Sequence, residues 1–230
     1  MINPQLEKEE FRVMVDHKGK THVDLGKLPF KDYFYINDVP QDTHYLTIHS
    51  LRMADYFNLP QREDLHESLE SLIMMGIRNR TLDELTKLKN LKRLVISESD
   101  YFNGFSVLQH EHFQESIEHL DVSDSLFDDV TLIYGYNHLT SFNISGTQVT
   151  DVSALAHETF EKQLNSLHIG DLPVSHLSFL QNYEQLEYLY AGRCVKLTDV
   201  SALGQGRNAK TLKDASLYNS SIQDLNWMEE

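Results

Sequence analysis

The chain has 230 residues, a formal net charge of −15, and 40% hydrophobic and 10% aromatic residues. This composition supports a buried core and excludes a disordered polymer. The charge disfavours binding to nucleic acid or anionic lipid and suits either a basic partner or simple solubility. No apolar run approaches the roughly 18 residues that a membrane-spanning helix requires.

The first 42 residues predict an N-terminal cap. Residues 11–15 and 21–25 are two apolar-rich segments on either side of a glycine-containing turn, which predicts a β-hairpin. A shortened L-x-x-L-x-F core follows over residues 25–30. Because the end of a repeat array has an apolar face that must be covered, we assign residues 1–42 to a cap made of the hairpin and this degenerate repeat.

An L-x-x-L-x-L-type core then recurs eight times over residues 43–230, with intervals of 26, 22, 26, 22, 25, 22 and 26 residues. Alternating apolar residues send side chains to opposite faces of a strand, one buried and one displayed. A period of this size predicts a leucine-rich repeat solenoid, in which each unit buries its apolar face against its neighbours. The eight cores start at Thr43, Leu69, Leu91, Ile117, Leu139, Leu164, Leu186 and Leu212.

A second signature, apolar-x-Asp-apolar-x-x-Leu, comes about ten residues after most starts and is complete in 149–155 (VTDVSAL). The stretches LTSFNISGTQVTDVSAL and LYAGRCVKLTDVSAL resemble internalin-type leucine-rich repeats, and the resemblance covers residues 43–230. It implies an α/β fold: a curved solenoid with a parallel β-sheet on the concave face and 3₁₀ or loop segments on the convex face. It also implies a protein that binds other proteins.

Every second repeat is longer because it carries extra residues at its end. Residues 59–65, 108–113 and 155–160 each predict one helical turn on the convex face that returns an apolar residue to the core. The array therefore consists of two-repeat modules of 47–48 residues.

The lone cysteine fits the same register. The resemblance implies an asparagine eight residues after each start, which bonds the backbones of neighbouring loops. Here that position holds Cys194, and small hydroxyl residues such as Ser99, Ser125 and Thr147 hold it in other repeats. Because a thiol or hydroxyl makes a weaker version of that bond, we interpret Cys194 as a structural residue and not as a nucleophile.

The two ends of the sequence lead to predictions about location and about the edge of the last repeat. The start, MINPQLEKEEF, lacks the basic and apolar segments of a signal peptide. We therefore expect a cytoplasmic protein, or one delivered into a host cytosol by an unrecognised signal. Trp227 and Met228 fall inside the back of the last repeat. Either they cover that repeat's core themselves, or this edge is an interface, including one for self-association.

Side chains two, four and six positions after each start are predicted to face the concave side. They bring apolar residues together in the N-terminal half and tyrosines in the C-terminal half, with small polar residues between that either admit a partner closely or are solvated. Tyr and Arg dominate interface hot spots, although aromatics on a sheet also serve cross-strand packing. The candidate partner-binding residues are Tyr45, Ile73, Met75, Arg93, His119, Asp121, Asn143, His168, Tyr188, Tyr190, Arg193 and Tyr218.

One set of concave side chains has the residue types of a hydrolase site. Asp121 and His168 share a row but lie two strands apart, roughly 10 Å, which is beyond hydrogen-bond reach. We therefore predict no catalysis. The motif at 110–112 (HEH) is a weak metal candidate because structural zinc takes four ligands, so we predict no metal and no cofactor. The sequence also has no basic stripe for nucleic acid.

The sequence therefore predicts a non-catalytic protein–protein recognition module that binds a protein partner, with basic chemistry as one option, on its concave face. A cytosolic scaffold or regulator is the leading use. A secreted bacterial effector and an acidic inhibitor or immunity-type protein are alternatives with the same fold. The alternative from a different class is a weak hydrolase-like site around Asp121 and His168.

Overall fold

The computed structural model describes residues 12–27, 39–49, 62–77 and 82–223. These residues form one sheet of ten strands in chain order, in which the first pair is antiparallel and every later pair is parallel. The strands are β1 (Arg12–Val15), β2 (Thr21–Lys27), β3 (Thr43–His49), β4 (Ser71–Met75), β5 (Arg93–Ser97), β6 (His119–Asp121), β7 (Ser141–Asn143), β8 (Ser166–His168), β9 (Tyr188–Tyr190) and β10 (Asp214–Ser216).

The parallel strands align the repeats in the register that the leucine spacing predicts. Tyr45 pairs with Ser71, and the same row continues strand by strand to Asp214. The amide one residue after each start donates to the equivalent carbonyl of the preceding repeat, at 2.8 Å in every step from Glu70 to Lys213. This row of hydrogen bonds, the strand-start ladder, fixes each repeat against the one before it.

Each strand from β4 onward is followed by a residue with positive φ, seven positions after its repeat start. In every one of these repeats except the last, its amide donates to a carbonyl of the next repeat, for example from Asp124 to Ser145 at 2.9 Å and from Asp171 to Gly192 at 3.0 Å. This backbone conformation favours glycine, yet most of these positions hold other residues. They are Gly76, Glu98, Asp124, Gly146, Asp171, Arg193 and Asn219.

The convex side alternates as the repeat lengths predict. The long repeats carry short helices, and in the first three of these helices Leu65, Phe113 and Phe160 return to the core with no exposed surface. The short repeats carry 3₁₀ turns at 83–87, 130–133 and 178–180. The helices are α1 (Glu63–Ser68), α2 (Glu111–Ser116), α3 (Glu158–Glu161) and α4 (Ala202–Gln205).

The aspartate of the second signature holds the start of these convex turns. The carboxylates of Asp129, Asp151 and Asp199 each accept the amide two residues further on, at 2.9, 2.8 and 3.0 Å. That backbone hydrogen bond lowers the pKa of Asp151 and of Asp199. The motif is therefore a capping device for the convex turns.

Aromatic side chains fill the centre of the core. Phe142 packs edge-on against Phe127 at 6.3 Å between ring centroids and stacks on Phe160 at 5.8 Å. The buried hydroxyls of Tyr136 and Tyr183 donate to the carbonyls of Leu108 and Leu155. These contacts join strands and convex segments of successive repeats into one continuous core.

Two expectations touch residues beyond the described ranges. β1 and β2 pair as a hairpin and β2 continues into the parallel sheet, but residues 28–38 of the degenerate repeat lie outside the description, so the boundary at 42 stays a prediction. Trp227 and Met228 also lie outside it. Among the helices that are described, none has the length and apolar character to cross a membrane.

Replacing Phe142 with alanine tests the core. Its ring has no exposed surface and lies between two other rings, so Phe142→Ala should lower the free energy of unfolding by about 3–5 kcal/mol through lost burial and a cavity. Urea denaturation followed by circular dichroism measures this loss. Phe142→Leu is the matched control and should cost less; equal stability of the alanine variant and the wild type would contradict the packing.

Candidate functional site: the concave face

The N-terminal end of the concave face is covered by the chain's own side chains. The imidazole of His22 stacks on the ring of Tyr45, with 4.1 Å between centroids and 13° between planes. The ammonium of Lys20 lies 5.8 Å from the same centroid and forms an ion pair with Glu70. Tyr45 is therefore already engaged within the protein.

The apolar patch that the strand spacing predicts from Ile73, Met75 and Val95 exposes less surface than the sequence indicated. Ile73 and Met75 are half-buried, and Val95 is only 5% exposed. Val95 is therefore buried and is not part of the displayed surface.

Polar side chains in the middle of the face hold one another. The carboxylate of Asp121 accepts the amide of Ser123 at 2.9 Å and the side-chain amide of Asn143 at 3.0 Å. Asn143 in turn accepts the amide of Ser145 at 3.0 Å. Asp121 therefore uses its oxygens to organise strand ends, in a row that places the Asn143 strand between it and His168.

Two histidines of this face are partly buried and have lowered pKa values. Burial lowers the pKa of His119, and the positive charge of Arg93, which is exposed, lowers it further. Burial also lowers the pKa of His168, against a weaker opposing effect of Asp121. Both imidazoles therefore favour the neutral form more strongly than a solvated histidine does.

The C-terminal part of the face carries an aromatic shelf, which we define as His168, Tyr188, Tyr190 and Tyr218. His168 stacks on Tyr190 at 5.6 Å and its Nε2 lies 3.2 Å from the hydroxyl of Ser166. The hydroxyls of Tyr190 and Tyr218 are 2.6 Å apart. Tyr188 and Tyr218 are each 46% exposed. The shelf is thus internally bonded and still open to solvent.

Two glycines leave the space that rings of the shelf occupy, and we call these positions the glycine seats. A Cβ atom at Gly170 would lie 2.4 Å from Cε1 of Tyr190, and one at Gly192 would lie 2.5 Å from Cε1 of Tyr218. Each ring therefore lies against the backbone of the preceding repeat. Gly170 is one of the small residues of this face for which the sequence left close approach by a partner and solvation as alternatives; the ring of Tyr190 occupies that space instead. Sequence reasoning missed this role.

Arg193 is fixed at the edge of the shelf by a residue that the candidate set omitted. Its guanidinium Nε donates to the carboxylate of Asp171 at 2.8 Å, across neighbouring repeats. This ion pair raises the pKa of Arg193. The signal that was available in the sequence is their shared position, seven residues after successive starts.

The cysteine position behaves as expected, and its hydroxyl counterparts only in part. The thiol of Cys194 is buried and donates to the carbonyl of Ile169 in the preceding repeat, and burial raises its pKa. Ser99 likewise accepts an amide from the preceding repeat, that of Ile77 at 3.1 Å. Ser125 and Thr147 instead donate to carbonyls of their own turns. The prediction that these two hydroxyls bond a neighbouring repeat was wrong, because each hydroxyl lies within reach of a carbonyl three residues earlier in its own turn.

No set of three or more His, Cys, Asp or Glu side chains is arranged to hold a metal ion in the described parts of the chain. The two histidines of the 110–112 motif place their rings 4.9 Å apart. His110 caps α2 by accepting the amide of His112. Its role in the fold is therefore to cap a helix.

In-register parallel strands backed by 3₁₀ turns and short helices define a leucine-rich repeat solenoid, and the similarity to internalins is confirmed in three dimensions. Internalin InlF of Listeria monocytogenes matches with a TM-score of 0.62 and 20% identity over 81% of this chain; the match spans about half, 51%, of InlF. Internalin C2 of the same organism matches with a TM-score of 0.59 and 25% identity over 72% of this chain and 68% of its own.

A leucine-rich repeat protein of Leptospira interrogans is also similar, with a TM-score of 0.50 and 14% identity over 81% of this chain and 56% of its own. No protein-family model matches the sequence, and no curated protein does.

The glycine seat can be tested with a double-mutant cycle. Gly170→Ala should destabilise the protein by about 1–3 kcal/mol because the new methyl group overlaps the ring of Tyr190. In a Tyr190→Ala background the same substitution should cost clearly less, because only the contact of the new methyl group with the Gly192 carbonyl oxygen, at 3.1 Å, remains. Urea denaturation of the four proteins measures both costs. An equal cost in the two backgrounds would show that the ring does not occupy this seat.

The lowered pKa values of His119 and His168 predict how the stability of the protein depends on pH. Because the folded state lowers the pKa of His119 and His168 below the ordinary value of 6.5, the unfolded chain binds more protons, so their contribution is present above that value and is lost as the pH falls below it. Replacing both with Gln should reduce the fall in melting temperature between about pH 7.5 and about pH 5.5. Replacing the exposed His17 and His138 with Gln is the control; an equal reduction there would contradict the assignment.

Proposed function

We propose that this protein is a non-catalytic recognition module that binds a protein partner through the aromatic shelf on its concave face. The observation that carries the proposal is the exposure of two large aromatic side chains, Tyr188 and Tyr218, which are each 46% exposed on the concave face. Solenoids of stacked repeats use extended concave surfaces for binding. Tyrosine is among the residues that dominate interface energies.

Preorganisation supports the same choice of surface. The hydroxyl contact between Tyr190 and Tyr218 and the glycine seats under both rings hold the shelf in one arrangement before a partner arrives. Binding therefore costs little side-chain entropy at these positions. The N-terminal part of the face offers no comparable free tyrosine to a partner, since Lys20 and His22 already cover Tyr45.

The proposal includes a scaffold or regulatory role in the cytoplasm, where cell fractionation would test its location. The hydrolase alternative lacks comparable support, because Asp121 bonds Ser123 and Asn143. If His168→Ala abolished a measured hydrolytic activity of the folded protein, the non-catalytic part of the proposal would be wrong.

Removal of the Tyr188 ring tests the proposed surface most cleanly. The side chain of Tyr188 is 46% exposed and forms no hydrogen bond within the described residues, so Tyr188→Ala should leave the melting temperature unchanged. It should weaken binding of a partner, captured from the native extract and then purified, by about ten-fold or more, as for an interface hot spot. Titration calorimetry with the purified partner measures the affinity.

Tyr101→Ala is the matched control, because Tyr101 is 61% exposed and lies outside the concave rows. It should bind the partner as the wild type does. If Tyr188→Ala and Tyr218→Ala both bound with unchanged affinity, the partner site would lie elsewhere on the solenoid.

A further inference from the structure

Within the protein, a lysine side chain already lies over one tyrosine of the concave row that runs from Tyr45 to Asp214. Tyr45 stands at the N-terminal end of that row, and the ammonium of Lys20 lies over its ring, 5.8 Å from the centroid. The same ammonium is paired with the carboxylate of Glu70. A ring face and a carboxylate together therefore hold one lysine on this sheet, through the attraction of a cation to the negative face of the ring.

The same two components occur at the other end of the row, without a lysine of this chain. Tyr188 and Asp214 pair directly across β9 and β10, so their Cα atoms lie on neighbouring strands about 4.8 Å apart. Both side chains are exposed, and within the described residues neither has a hydrogen-bond or ion-pair partner.

Two cations of the same two repeats, Lys213 and Arg193, are already engaged in ion pairs. Lys213 pairs with Glu187 at 2.8 Å, and Arg193 pairs with Asp171. Each is thus neutralised by a carboxylate other than Asp214. Among the described residues Asp214 therefore has no ion-pair partner, and Tyr188 keeps 46% of its surface exposed to solvent.

We infer that the shelf receives a lysine side chain from a basic segment of the protein partner, with its ammonium over the ring of Tyr188 and against the carboxylate of Asp214. This inference rests on the proposed function and adds the chemistry of the partner to it. The net charge of −15 favours such a partner at long range, because it attracts a basic segment and repels phosphate-rich ligands.

The test uses a dye-labelled tetralysine peptide and the full chain, with binding followed by fluorescence anisotropy at fixed salt. Tyr188→Ala and Asp214→Asn should each weaken binding by about two- to five-fold, the range of exposed cation–π contacts and surface ion pairs. Tyr188→Phe should keep the affinity, since it keeps the ring. A tetrapeptide of Nε-acetyl-lysine should not bind.

Asp128→Asn is the control for charge, because it makes the same change of net charge at an exposed position behind the sheet. Tyr101→Ala is the control for loss of an exposed tyrosine. Both should bind tetralysine as the wild type does. If Asp214→Asn and Asp128→Asn weakened binding equally and Tyr188→Ala had no effect, the attraction would be only that of the overall charge and the inference would be wrong.

The same variants separate this inference from the proposed function. If native partner binding depended on Tyr188 while tetralysine binding depended on neither Tyr188 nor Asp214, the shelf would be the partner site but would not take a lysine. If tetralysine bound at Tyr188 and Asp214 while the native partner ignored the concave face, the lysine site would stand and the proposed function would fall.

Discussion

The structure depends on the strand-start ladder, because a single repeat of this chain cannot bury its apolar strand face alone. The ladder holds each amide at 2.8 Å from the carbonyl of the preceding repeat over seven steps. It sets the distance and direction from one repeat to the next, so equivalent side chains line up in rows. The binding face is a consequence of this alignment. Gly170 and Gly192 both lie six residues after their repeat starts, and the rings of Tyr190 and Tyr218 reach them from positions four and six of the following repeats.

The shelf combines rigidity with exposure, which individual exposed tyrosines do not offer. The rings of Tyr190 and Tyr218 are fixed by backbone below and by each other's hydroxyl groups, and Tyr188 completes an open surface beside them. An ion pair between Arg193 and Asp171 stiffens one edge. These contacts lie within three consecutive repeats, so a small part of the solenoid is sufficient to build the site.

Much of the fold was predictable because it follows from spacing. Period-2 apolar residues and the alternating intervals were sufficient to assign the rows and the helical turns that return Phe113 and Phe160 to the core, and the resemblance to internalin-type repeats implied the structural role of Cys194. The direction in which a ring leans was not predictable, since strand periodicity assigns a side chain to a face and nothing more. Lys20 over Tyr45 was missed for a related reason: the hairpin lies outside the repeat and its register against β3 is not set by the period.

The left-handed turn after each strand was also missed. Gly76 and Gly146, seven residues after their starts, were the signal in the sequence, but Glu98, Asp124 and Asp171 occupy the same position in other repeats and concealed it. A repeated backbone conformation can override residue preference when six successive repeats donate the same amide to the next repeat. That requirement belongs to the assembled ladder and not to any one repeat.

Hydroxyl-radical footprinting of the free protein and of its partner complex tests the central claim most directly, because it measures the solvent exposure of individual tyrosines. We expect Tyr188 and Tyr218 to be oxidised in the free protein and protected in the complex, and Tyr101 to be oxidised equally in both. Unchanged oxidation of Tyr188 and Tyr218 in a saturated complex would contradict the concave shelf as the binding site.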